Sequence, residues 1–309
     1  MRLGVLDIGS NTVHLLVCDI TPGSAPIPAF SIKEPLGLIG LLNEEGSFDS
    51  DMPEHLTTLI DELVDAAKSN GCKDILAFAT SAIREATNGQ LMLDEVIKRT
   101  KQQISVLSGA DEARLTFLAT RRWFGWSSGT LLNLDIGGGS LELAIGKGER
   151  PDFAISLPLG AGRLTKSFSF SDPPTMKQLN NANEYIYQQI ENVLDEITTE
   201  SGADHVVGTS KTFRSLARIA GAAPSAAGPY VKRILPAAKL NQIARRVTEM
   251  TVQQRTNLPG VSKARATQLA AGAMVASAAV DLLNIEEIEI SPWALREGIL
   301  LRHIDSLNR

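Results

Sequence analysis

Two stretches of the 309-residue sequence set an acid just before a glycine turn: Leu6-Asp7-Ile8-Gly9-Ser10-Asn11-Thr12 and Leu134-Asp135-Ile136-Gly137-Gly138-Gly139-Ser140. Glycine lets the backbone come close to a ligand, and successive N–H groups in such turns form concave nests for phosphate oxygens. In the first stretch Gly9 and Ser10 offer amides, while Ser10, Asn11 and Thr12 add hydrogen-bonding side chains. In the second, Gly137, Gly138, Gly139 and Ser140 make a roomier nest, with Glu142 two residues beyond. An aspartate repels a phosphate unless a divalent cation lies between them, and Mg²⁺ is held by few carboxylates plus substrate oxygens. One Asp-x-Gly reads as a tight hairpin. Two in matching surroundings point to paired clamps that hold a phosphoryl group and its metal, with Asp7 beside that metal.

Four further side chains could serve phosphate chemistry, each with a plainer alternative. Arg84, in "ATSAIREATN", follows an expected strand; its guanidinium can grip two phosphate oxygens, or pair on the surface with Glu85. Glu112, in "SGADEARL", is equally a first-turn helix acid or a base for a water molecule. Lys211 and Arg214, in "VVGTSKTFRSLARIAG", sit where strand, turn and helix N-terminus would make a third anion site, or on a surface helix capped by Ser210. Glu142 alternates with Leu141 and Leu143, so a solvated strand face is its plain reading. Arg163, Lys166, Lys232, Arg233, Arg245 and Arg246 default to solvated faces. His14, His55, His205 and His303 are too scattered for a metal cluster, and His14 reads as packed.

These residues need a scaffold, and the hydrophobic pattern supplies one. "RLGVLDIGSNTVHLLVCDI" runs apolar, turn, apolar, a hairpin signature that "GTLLNLDIGGGSLELAIGKGE" repeats. Leu56, Leu59, Ile60, Leu63, Val64 and Ala67 keep helical spacing, with Gly71 as a C-cap. Strands are expected at 75–80 and 104–107, and helices at 91–101 and 110–124. In the second half helices are expected at 175–201, from 211, at 237–250 and at 262–284, with strands at 204–207 and 285–290 and a last helix from Trp293. Strand–helix alternation in both halves argues for an α/β architecture.

Composition bounds the partners. At 309 residues the chain suits two cores, and 43% hydrophobic with 21% charged content is ordinary for a globular protein. A net charge of −5 disfavours nucleic acid and acidic membranes as partners of the whole molecule. Cys18 and Cys72 read as reduced thiols. The start lacks signal-peptide form, and the apolar run 266–280 is too short to span a bilayer, so a cytoplasmic protein is expected.

"DIGSNTVHLLV", "ATSAIREATN", "ISVLSGADEARLTF", "DIGGGSLELAIG" and "ISPWALREGIL" together resemble the exopolyphosphatase and guanosine pentaphosphate phosphohydrolase family (Ppx/GppA), within the actin, Hsp70 and sugar kinase superfamily. The resemblance runs from Leu3 to about Arg302. It implies two actin-like (ribonuclease H-like) α/β domains with an interdomain cleft, here 1–124 and 125–296, with the last helix, 297–309, packing back on the first. It makes Glu112 the water-orienting glutamate, Arg84 a phosphate contact, and Asp135 and Glu142 metal-site and catalytic acids. Asp111 stands for the family's first glutamate and Leu141 for a threonine of its second turn. Ser210-Lys211 replaces the Gly-Gly pair on which the superfamily docks adenosine, which argues against a kinase. The implied activity is Mg²⁺-dependent (or Mn²⁺-dependent) hydrolysis of the terminal phosphate of inorganic polyphosphate. The alternatives are guanosine pentaphosphate as substrate and a non-catalytic alarmone or nucleotide sensor. A stop at Arg309, before the family's frequent extra helical region, implies a preference for short chains; a homodimer is a family-level expectation.

Overall fold

The computed structural model describes residues 1–197 and 202–307. By packing, the chain divides into unit 1, Met1–Leu115 with Leu295–Arg309, and unit 2, Thr116–Ala294. The division falls inside the helix Gly109–Phe124, ahead of the glycine at 125 that the sequence reading used as the boundary.

Unit 1 holds a five-stranded sheet of β1 (Arg2–Ile8), β2 (Thr12–Asp19), β3 (Ile27–Pro35), β4 (Asp74–Ala79) and β5 (Ile104–Val106) in the order β3-β2-β1-β4-β5. The first three strands pair antiparallel, and β4 and β5 join parallel. Alternation sorts β1 into two faces. Leu6 and Ile8 pack under the helices Met52–Ser69 and Gly89–Thr100 in one core. Leu3 and Val5 face the other way, with Leu115, Ile299, Leu300 and Ile304. Asp7 belongs to this second face, which the last helix, Leu295–Leu307, covers. Gly71 takes φ +77° just after the Met52–Ser69 helix, the left-handed position that favours glycine.

Unit 2 repeats the plan with β6 (Leu131–Ile136), β7 (Leu141–Gly146), β8 (Phe153–Leu157), β9 (His205–Gly208), β10 (Ile234–Pro236) and β11 (Glu287–Ile290), ordered β10-β11-β9-β6-β7-β8. Reading β6, β7, β8, β9 and β11 for β1 to β5 reproduces the first sheet, directions included, and β10 is an added antiparallel edge. This is the actin-like, ribonuclease H-like order, present twice. Leu132, Leu134 and Ile136 enter the main core with the helices Met176–Glu191, Ala237–Glu249 and Leu269–Leu282, while Asn133 and Asp135 point to the opposite face.

Several elements differ from the sequence reading. β3 and β8 were not foreseen, because both are partly exposed and carry no clean apolar pattern. The helix expected over 175–201 runs Met176–Glu191, then a short turn Leu194–Ile197, and its last residues lie outside the described ones. The helix expected over 262–284 is broken into Lys263–Ala266 and Leu269–Leu282. Among the described residues no helix is long and apolar enough to cross a membrane. Both cysteines are free, and burial pushes the Cys18 thiol up to about 12.

Candidate functional site

The two glycine turns are tied down in the same way. In unit 2 the carbonyl of Gly137 accepts from Ala161 N (3.0 Å), that of Gly138 from Arg163 N (2.9 Å), and that of Gly139 from Arg163 Nε (2.7 Å). A trans peptide sets each N–H opposite the preceding carbonyl. The amides of Gly138, Gly139 and Ser140 therefore all point away from the segment that holds the turn, the arrangement an anion nest requires. Close approach needs Gly160, where a Cβ would come 2.1 Å from the carbonyl carbon of Gly139. Arg163 is thus part of the turn's mounting, where a solvated face had been expected.

In unit 1 the carbonyl of Asn11 accepts from Leu36 N (3.1 Å) and Gly37 N (3.0 Å), and that of Ser10 from Ile39 N (3.4 Å). By the same geometry the amides of Asn11 and Thr12 turn away from that loop. Gly9 N closes the turn onto Thr12 O at 3.0 Å. The Ser10 hydroxyl is buried and meets Ser81 Oγ at 2.9 Å, so it joins the turn to the short helix Ser81–Glu85 that carries Arg84.

Unit 1 also brings Arg84 and Glu112 together, although 27 residues separate them in sequence. Arg84 Nη1 donates to Glu112 Oε1 and to the Leu107 carbonyl (2.7 Å), and Nη2 lies 3.6 Å from Glu85. Glu112 is only 7% exposed. The surface pairing with Glu85 exists, but the buried carboxylate is the nearer partner. Asp7 Oδ2 accepts from Arg296 Nη1 at 2.9 Å. Burial pushes the Asp7 carboxyl above the ordinary aspartate value, with Arg296 pulling it back.

In unit 2 Asp135 and Glu142 stand directly opposite each other on β6 and β7, which sets their Cβ atoms about 5 Å apart on one face. Asp135 Oδ2 accepts from Thr209 Oγ1 (2.7 Å), and Glu142 Oε1 from Ser156 Oγ (2.8 Å). Glu142 is 5% exposed, so the solvated-face reading of this residue falls. In the first hairpin the same register pairs Asp7 with His14, which is buried and bonded to Ser31 Oγ at 2.7 Å. The pairing puts two carboxylates on one side of this sheet, with Arg265 acting on Asp135. A hard divalent cation fits this donor set: two carboxylates beside a phosphate nest supply the few protein oxygens Mg²⁺ takes, with water and phosphate completing the shell. Among the described residues no three His, Cys, Asp or Glu side chains form a metal centre by themselves.

Positive charge gathers beside these acids. Ser210 caps the helix Lys211–Ile219 by accepting from Phe213 N at 3.3 Å, as its plain reading had it. Partial burial, then Arg214, then Arg265, hold the Lys211 ammonium below the usual lysine value. Arg214 Nη2 donates to the carbonyls of Ser291 (3.4 Å) and Pro292 (3.1 Å). Burial lowers the Arg265 guanidinium, and Asp135 opposes that shift. The sequence reading missed Arg265, Arg296 and Thr209. A signal for Thr209 was present: Thr80-Ser81 and Thr209-Ser210 follow equivalent strands, β4 and β9, and Thr80 N and Thr209 N each bond the strand that carries the aspartate.

A family model described as the Ppx/GppA phosphatase family matches residues 16–307. The chain belongs to the Ppx/GppA phosphatase family. Within it, the chain is 48% identical over 306 residues to exopolyphosphatase 1 of Mycobacterium leprae, across 99% of this chain and 90% of that protein. The fold matches an exopolyphosphatase from Cytophaga hutchinsonii with a TM-score of 0.87 at 23% identity, over 99% of this chain and 98% of that one. The Ppx/GppA member from Aquifex aeolicus superposes with a TM-score of 0.81 at 25% identity, over 100% and 99% of the two chains.

Proposed function

We propose that the chain is an exopolyphosphatase, a phosphoanhydride hydrolase that removes the terminal phosphate of inorganic polyphosphate. The observation that carries this reading is the full-length likeness to a mycobacterial exopolyphosphatase. On this reading each site residue takes a role. The amides of Gly138, Gly139 and Ser140, and those of Asn11 and Thr12, bind phosphate oxygens, with Gly9 and Gly137 closing the two turns. Lys211, Arg214 and Arg265 balance the polyanion's charge. Arg84 stabilises charge on the transferred group, and its contact with Glu112 orients that carboxylate. Glu112 positions the attacking water and takes its proton. In unit 2 Asp135 and Glu142 are the residues that would hold Mg²⁺ or Mn²⁺, with Asp7 in the corresponding place of unit 1, and such a cation neutralises phosphate charge.

Phosphate release by the purified chain tests the proposal, with defined polyphosphates, guanosine pentaphosphate, and ATP plus an acceptor as the arms. Fastest release from polyphosphate in the presence of Mg²⁺ is the expected result. Faster release from guanosine pentaphosphate reassigns the substrate. Binding without turnover points to a sensor, and ATP-dependent transfer to a kinase.

A further inference from the structure

The tripeptide Arg296-Glu297-Gly298 opens the last helix, and the chemistry described above makes no use of it. Its first and third residues grip two different parts of unit 1. Arg296 Nη1 donates to Asp7 Oδ2 at 2.9 Å, and the two side chains are only 21% and 15% exposed. The other carboxylate oxygen, Oδ1, lies toward the turn: a Cβ placed on Gly9 would sit 3.5 Å from it. One oxygen is therefore committed to the guanidinium and the other lies beside Gly9, which closes the turn. Buried Arg121 spends its guanidinium on Ser128 Oγ and on the carbonyls of Gly129 and Gly146. Arg296 shares with Arg121 a buried Nε that has no hydrogen-bond partner among the described residues, and differs in what holds its head group. Its anchor is a carboxylate.

The second grip is Gly298. A Cβ there would meet the Leu115 carbonyl oxygen at 1.9 Å, so the backbone of the last helix rests on the backbone of Gly109–Phe124. Leu115 lies three residues past Glu112 on that helix. One tripeptide thus braces both Asp7 and the element that carries Glu112. A largely buried carboxylate also needs a positive partner before any cation or phosphate arrives.

We propose that Arg296 is a positioning residue: it pins Oδ2 of Asp7 so that Oδ1 alone is presented to the phosphate turn, and it serves as Asp7's counter-ion until a divalent cation takes that place. The inference rests on the reading of Asp7 as part of a phosphate and metal turn.

A double-mutant cycle on the full chain tests it, with the parent, Arg296→Met, Asp7→Asn and the double variant. Two quantities are read: Mn²⁺ binding without substrate, by electron paramagnetic resonance of the free ion, and kcat and KM for phosphate release from a short polyphosphate. Arg296→Met removes the competing positive charge, so Mn²⁺ binds about fivefold tighter or more. At the same time kcat falls about ten- to hundredfold with KM within about threefold, because a misplaced group costs rate before binding. In the Asp7→Asn background the same change moves neither quantity by more than about twofold. Arg296→Lys keeps the charge, so Mn²⁺ binding stays near the parent's while kcat still drops; it carries the test if the methionine variant fails to fold. Arg302→Met, exposed on the same helix, leaves both quantities unchanged. Equal effects with and without Asp7, or a folded Arg296→Met that behaves like the parent, overturn the proposal. A parent that neither binds Mn²⁺ nor releases phosphate overturns the underlying reading instead, so the two failures are distinguishable.

Discussion

Arg84 and Glu112 are the pair on which the proposed hydrolysis turns. Glu112→Gln keeps the shape of the side chain and removes the base, so kcat should fall about a hundredfold to ten-thousandfold. Steady-state phosphate release at saturating polyphosphate checks this, and near-parent turnover would take Glu112 out of the role. Removing its partner has a separate cost. Arg84→Met leaves Glu112, 7% exposed, without its cation, so unfolding in urea should show a loss of up to about 3 kcal/mol. Both residues stood out in the sequence because their short motifs resemble the family's, while local spacing alone left a plain alternative for each. Arg265, Arg296 and Thr209 did not. Their partners are Asp135, Asp7 and again Asp135, residues brought near only by packing of distant segments. Local spacing carries no information about such pairs.

At the scale of elements, the duplication was visible where the two hairpins repeat "LDIG", and it extends further than those words. The Thr-Ser dipeptides after β4 and β9 belong to it, and so do the unforeseen third strands β3 and β8. The second turn depends on its seat against Gly160. A methyl group at that position cannot be accommodated without moving Gly139 and Ser140, so Gly160→Ala should cost about 1–3 kcal/mol in urea unfolding and weaken phosphate binding. The β9–β11 edge gives a pH prediction. Burial would raise the Glu289 carboxyl, but hydrogen bonds from His205 (2.5 Å) and Lys232 (3.1 Å) outweigh it and hold Glu289 below the ordinary glutamate value. A depressed carboxyl contributes stability above its unfolded pKa and loses it as pH falls through the folded one. Glu289→Gln should therefore be less stable than the parent at pH 7, by no more than about 1 kcal/mol because the exposed Lys232 is screened by solvent, and the difference should close toward pH 3. Melting curves across that range decide it.

For the molecule as a whole, unit 1 is discontinuous: its second sheet face is covered by Ile299, Leu300 and Ile304 from the far end of the chain. Burying such side chains is worth about 1.5–3 kcal/mol each, which together rivals the 5–15 kcal/mol typical of a domain's total stability. A chain truncated after Ala294 should lose protease resistance in Met1–Leu115 while Thr116–Ala294 keeps its own, as mass spectrometry of limited digests would show. The discontinuity also orders events during synthesis. The first 115 residues leave the ribosome early and cannot cover the second face of their sheet until the last helix is made. At about 5–20 residues per second the intervening unit takes on the order of 10–40 s to translate. Throughout that interval the Asp7 turn and the Glu112 helix are present as sequence but lack their brace, so the segment translated first is completed last.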